Sequence, residues 1–143
     1  MKGTQEPLDE RIAKALINRR VVIAEDDNAI AHSTTRVFTR FSALVTVFNQ
    51  ADAFRDAIPE LAAVPGTLYL TDNGFKYSGE GDCGEKNIAA LLKHGVPAET
   101  ITAYSAAPPE KYLTYLHAKN IPCVQKPFEN SELVRTVGRS LVN

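Results

Sequence analysis

Short apolar runs alternate with stretches of helical period from about residue 21 onward. The runs at 21–25, 44–48, 67–71, 101–105 and 121–125 have the length of strands. The third, after the Pro65-Gly66 turn, has the continuous apolar character of a strand buried on both faces. Between the runs, apolar residues recur every three or four positions. Ile30, Val37, Phe38 and Phe41 fall on one face of a helix over about 28–41, which Asp27 or Asn28 can cap. Phe54, Ala57, Ile58 and Leu61 repeat in the same way behind Asn49, a candidate cap. Pro59 is expected to kink or break that helix near Ile58, because proline lacks an N–H and crowds the preceding turn. A third helix starts near Gly84, turns Ile88, Leu91 and Leu92 inward and stops at Gly95, with Pro97 just beyond. Pro108-Pro109 open a fourth through Tyr112, Leu113 and Leu116, and the last, roughly 131–142, buries Leu133, Val134, Val137 and Leu141.

Strands alternating with helices predict an α/β domain: a doubly wound, five-stranded parallel sheet covered on both faces. Ahead of it, Leu8, Ile12, Ala15 and Leu16 form a helical stripe in a charged segment. Residues 1–19 therefore read as a helical extension and 20–143 as the sheet domain. The stripe suits packing on that domain or pairing in a homodimer, and both arrangements stay open at this point.

Composition narrows the function classes. A chain of 143 residues is one domain's length and can bury one core. No window approaches the roughly 18 apolar residues of a membrane span, and no apolar stretch follows Lys2, so neither a membrane segment nor a secretory leader is expected and the cytoplasm is the default compartment. With 16 basic and 17 acidic residues, net charge is −1, which disfavours direct binding of nucleic acid. Cys83 and Cys123 have no metal-ligand spacing and are expected to be thiols.

The chemistry-bearing residues stand at the C-terminal ends of the apolar runs: Glu25-Asp26-Asp27, Asp72, Ser105 and Lys126-Pro127. In an open parallel sheet these ends share one rim, where ligands bind. An order 2-1-3-4-5 would set the first and third strands side by side and crowd Glu25, Asp26 and Asp72, whose repulsion a divalent cation would relieve. Mg2+ takes oxygen ligands and completes its shell with water and phosphate oxygens, which suits this cluster. Each residue alone has a plainer role: the acids favour a helix N-terminus, which is the role expected of Asp27, Asp72-Asn73-Gly74 is a strong turn sequence, and Lys126 before proline can be surface decoration. Taken together they suit phosphoryl chemistry. Asp72 can accept a phosphoryl group as an acyl phosphate, Lys126 can neutralise its oxygens, and Ser105 can donate to them. A cis Lys126-Pro127 bond would fit the turn. His32, His94 and His117 fall in helices and read as surface residues.

On these residues, the stretch from 21 to about 142 resembles the receiver domains of bacterial two-component response regulators, whose fold is the flavodoxin-like 2-1-3-4-5 sheet. The acid pair corresponds to Glu25 and Asp26, the phosphoacceptor to Asp72, the Ser/Thr to Ser105, and the Lys-Pro-apolar sequence to Lys126-Pro127-Phe128. The resemblance implies a phosphoryl group taken on Asp72 from a histidine kinase or histidine phosphotransfer protein, with Mg2+ on Glu25, Asp26, Asp72 and the carbonyl of Gly74. It also implies self-phosphorylation and self-dephosphorylation rather than turnover of a separate substrate. The sequence departs from the pattern in three places. Lys76 stands where the family has proline, Gly74 leaves the phosphoryl without a covering side chain, and Cys123 replaces the aromatic residue that turns inward on activation, so a different or weaker output step is implied.

Eleven residues, 73–83, separate Asp72 from the next helix, a length at which connections commonly carry function. The 15 residues after Phe128 suffice for one helix, so the expected role is a stand-alone regulator acting on a downstream protein partner, through a face near Tyr112 and Tyr115. Three alternatives accompany it. One is an interaction module that works without phosphorylation, and another is the receiver portion of a hybrid kinase. The third, an aspartate-nucleophile phosphatase, is disfavoured because Gly74 stands where such enzymes place a second aspartate.

Overall fold

The computed structural model describes residues 7–73 and 84–142. Five strands, β1 (Arg20–Ala24), β2 (Leu44–Phe48), β3 (Leu68–Asp72), β4 (Ile101–Ser105) and β5 (Cys123–Gln125), form one sheet of order β2-β1-β3-β4-β5. Every pair is parallel, as the expected doubly wound α/β fold requires. The register sets Val22 beside Tyr69, Tyr69 beside Ile101 and Ala103 beside Cys123.

Helices cover both faces because β1, β3 and β4 are apolar on both. On one face, α3 (Ala51–Ala62), α4 (Gly84–Lys93) and α5 (Glu110–Ala118) bury Phe54, Ile58, Ile88, Leu91 and Leu116 against Val22, Tyr69 and Ala103. On the other, α1 (Leu8–Leu16), α2 (Asn28–Thr39) and α6 (Asn130–Val137) bury Ile12, Leu16, Phe38, Leu133 and Val137 against Val21, Ile23, Leu70 and Tyr104. Burying each such side chain contributes roughly 1.5–3 kcal/mol, enough to fix which face each helix takes.

The N-terminal stripe is used within the chain. Ile12 and Leu16 are fully buried in the second core, and α1 approaches the end of α6 so closely that a Cβ on Gly138 would lie 2.6 Å from Ile12 Cγ2. Arg135 donates to Asp9 at 2.7 Å, and Arg11 donates to the Val142 carbonyl at 3.0 Å. At the pole opposite the strand ends that carry the acids, Arg139 donates to Thr102 Oγ1 and to the carbonyls of Thr136, Ala98 and Ile101, tying the start of β4 to α6.

Several elements differ from the expectation. α3 runs through Pro59 without a break, held on both sides by buried Ile58 and Leu61, and the residue before it is Gln50 rather than an Asn49 cap. Gly138 ends the last helix, and residues 139–142 form a separate 3-10 turn. β5 starts at Cys123 rather than Ile121, since Pro122 has no N–H to give, although its carbonyl accepts from Ala103. Leu113 points outward at 41% exposure while its neighbour Tyr112 is buried. The C-terminus of α4 follows the expectation, with Gly95 in the left-handed region at φ +84°.

Candidate functional site

Because all five strands run the same way, the ends of β1, β3, β4 and β5 meet on one rim. Asp72 is the last residue of β3, and Glu25 follows β1, its N–H donating to the Phe48 carbonyl at 3.0 Å. Lys126 follows β5 and donates its N–H to the Ser105 carbonyl at 2.9 Å, which joins the ends of β4 and β5. Asp27 caps α2 by accepting from the Ile30 N–H at 3.1 Å, the role expected of it.

Carboxylate oxygens of Glu25, Asp26 and Asp72 lie within 4.8 Å of one another. The Lys126 ammonium donates to Glu25 Oε1 at 2.6 Å and to Asp72 Oδ1 at 3.0 Å. These four residues line a cavity of about 290 Å³ with Asn73, Ser105, Ala106 and Ala107. Glu25, Asp72 and Ser105 are buried, and Asp26 is half-buried. The Lys126-Pro127 bond is cis. Gly74, Lys76 and Cys83 lie outside the described residues.

Burial dominates the electrostatics. It pushes the Glu25 carboxyl up to about 7, with Lys126 opposing and Asp72 reinforcing the rise. Burial works against the Lys126 charge, yet its hydrogen bonds to Glu25 and Asp72 and their charges hold the ammonium above its ordinary range. Packing so much negative charge around one ammonium leaves the cluster short of cationic charge. A hard, oxygen-preferring cation such as Mg2+ fits what is missing, and the donor set is all carboxylate. Glu25, Asp26 and Asp72 could hold it.

Two aromatic residues near this site stand where the sequence did not place them. Tyr104, fully buried, lies beneath Lys126, whose Nζ is 4.3 Å from the ring centroid. Tyr112 comes from α5 on the opposite sheet face and is 4% exposed, so it is no part of an exposed output face. Its hydroxyl lies 2.8 Å from where a Gly84 Cβ would stand, as does Asn73 Oδ1. Cys123 packs against the core that contains Tyr112, its thiol held protonated by burial and by Asp72. An aromatic residue one position before Ser105 was the only sequence signal for Tyr104. His32, His94 and His117 are exposed, as expected.

No protein-family model and no curated protein matches the chain. Solved structures do. A CheY-like response regulator receiver domain protein from Methanospirillum hungatei JF-1 superposes with a TM-score of 0.73 at 17% identity, covering 86% of this chain and 93% of that one. The receiver domain of response regulator 1452 from Francisella gives 0.67 at 21% identity, over 87% and 97% of the two chains. The signal receiver domain of an HD domain-containing protein from Pseudomonas fluorescens Pf-5 gives 0.69 at 14% identity, over 87% and 94%. The chain has the receiver-domain fold.

Proposed function

We propose that this chain is a response regulator receiver that accepts a phosphoryl group on Asp72 and signals through protein contacts. The observation that carries the reading is the convergence of Glu25, Asp26, Asp72, Ser105 and Lys126 around one cavity at the strand ends of a receiver fold. The donor would be a phosphohistidine of a histidine kinase or phosphotransfer protein. The N–P bond breaks as an Asp72 oxygen forms the new O–P bond, and the imidazole leaves with the electron pair.

Mg2+, when bound by Glu25, Asp26 and Asp72, supplies positive charge against the transferring oxygens. Lys126 adds a second cation: its ammonium, now shared between Glu25 and Asp72, is within reach of a phosphoryl group placed on Asp72. Ser105, buried at the end of β4, offers a hydroxyl donor on the same cavity wall. The phosphoryl group replaces the single charge of the Asp72 carboxylate with about −1.5 to −2 charges, set farther out beside the segment that follows Asp72. The chain would turn over no separate substrate, and the reading places it in the cytoplasm with its kinase. Among the described residues, no helix is long and apolar enough to cross a membrane.

Incubation with Mg2+ and a small acyl phosphate donor should add one phosphoryl group by intact mass. No gain, or an equal gain in Asp72→Asn, refutes the reading. A second reading, an interaction module that works without phosphorylation, is favoured by Cys123 at the position of the family's aromatic switch. In that case Asp72→Asn leaves partner binding unchanged.

A further inference from the structure

We infer that Tyr104 is a positioning residue for Lys126, holding the ammonium on the face of its ring so that it stays aimed at the Asp72 side of the cavity. The inference rests on the phosphoacceptor reading above and deepens it. An ammonium has three N–H donors and no acceptor. Two of those donors reach Glu25 Oε1 and Asp72 Oδ1, and the Tyr104 ring face lies 4.3 Å from Nζ. A ring face attracts the cation through its quadrupole without presenting a lone pair that competes with a phosphoryl oxygen.

Lysine is a flexible four-carbon stem, so without lateral support its head would sample many positions. The support here is itself fixed. Tyr104 is fully buried in β4, in register with Asp72, and its carbonyl accepts from the Asn73 N–H at 3.4 Å. The Phe128 ring packs against it with centroids 6.1 Å apart and planes tilted by 51°. Tyr104 thus touches the residue that carries the cation and the apolar residue two positions beyond. A buried aliphatic side chain would keep the core apolar without attracting a charge, and the ring-current readout separates a positioning role from simple packing.

Two measurements test this on the full chain. In the nuclear magnetic resonance spectrum, the Lys126 Hε and Hζ signals, assigned by their loss in Lys126→Met, should be shifted upfield by the ring current. The shift should persist in Tyr104→Phe and vanish in Tyr104→Leu. Phosphoryl uptake at saturating donor and Mg2+ should match wild type in Tyr104→Phe and be roughly tenfold slower in Tyr104→Leu, with the donor concentration at half-maximal rate unchanged. Absence of an upfield shift in the wild type, or a folded Tyr104→Leu with the wild-type rate, overturns the inference. If Tyr104→Leu does not fold, the wild-type shift and its retention in Tyr104→Phe decide. Failure of the wild type to take up phosphoryl at all overturns the phosphoacceptor reading instead, and the ring-current shift then decides the placement of Lys126 by itself.

Discussion

Lys126 Nζ stands 3.0 Å from Asp72 Oδ1 across 54 positions of sequence, the side chain of the first at 11% exposure and that of the second at 7%. At that burial the pair is weakly screened, and its loss is felt by the carboxylates left behind. Lys126→Met should therefore destabilise the metal-free protein by about 2–4 kcal/mol at pH 8, and by less at pH 5 where Glu25 can take a proton. Mg2+ affinity should rise in the same variant, since the competing cation is gone. Urea unfolding in chelator and calorimetric Mg2+ titration check the two signs.

Glu25 gives the metal-free protein a pH dependence. Its carboxyl is raised from 4.5 to about 7 in the folded state, chiefly by burial. Between those values the folded protein holds a proton the unfolded chain has released. Stability is then full below the lower value and is lost as pH rises through the upper one, by on the order of 1–3 kcal/mol. Unfolding midpoints in chelator should fall from pH 5 to pH 8, Glu25→Gln should flatten the fall, and saturating Mg2+ should restore the midpoint at pH 8.

Removal of metal should also be readable through Asp72. Asp72→Asn keeps the volume of the side chain and removes one of three clustered negative charges, so Mg2+ affinity should drop at least about tenfold while the metal-free fold is not destabilised. A large loss of stability in chelator would contradict the crowding of charge described for Glu25, Asp26 and Asp72.

Ile12 tests whether α1 belongs to the core. Fully buried against α6 and Gly138, it should cost about 2–5 kcal/mol when changed to Ala. A detached extension would leave the unfolding midpoint where it was.

Gly84 tests the tight contact behind Asp72. A methyl group there would meet Asn73 Cα at 2.7 Å, a backbone atom that cannot swing aside, and the Tyr112 hydroxyl at 2.8 Å. Gly84→Ala should cost about 1–3 kcal/mol and slow phosphoryl uptake, because the residue it displaces follows Asp72 directly.

The strand ends were legible because polar residues interrupt apolar runs at Glu25, Asp72, Ser105 and Lys126, and a parallel sheet gathers such ends by geometry. The positions of Tyr104 and Tyr112 were not. In strands buried on both faces the alternation that reveals sidedness is erased, so nothing in 101–105 told which residue would face Lys126. On α5 the apolar residues Tyr112, Leu113 and Leu116 are too few to fix the phase of the helix, so Tyr112, read as part of an outward face, is buried and Leu113 is exposed. The persistence of α3 through Pro59 reflects tertiary contacts overriding a local penalty, which no propensity conveys.

The guanidinium of Arg139 gives β4 a root fixed to the helical layer. Thr102 and Ile101 are bolted to the helical layer, whereas Ser105, at the far end of the same five-residue strand, borders the cavity. Because the Ser105 carbonyl accepts from the Lys126 N–H and the Tyr104 carbonyl from the Asn73 N–H, both ends of the strand are pinned, and it offers the cavity a wall of fixed position.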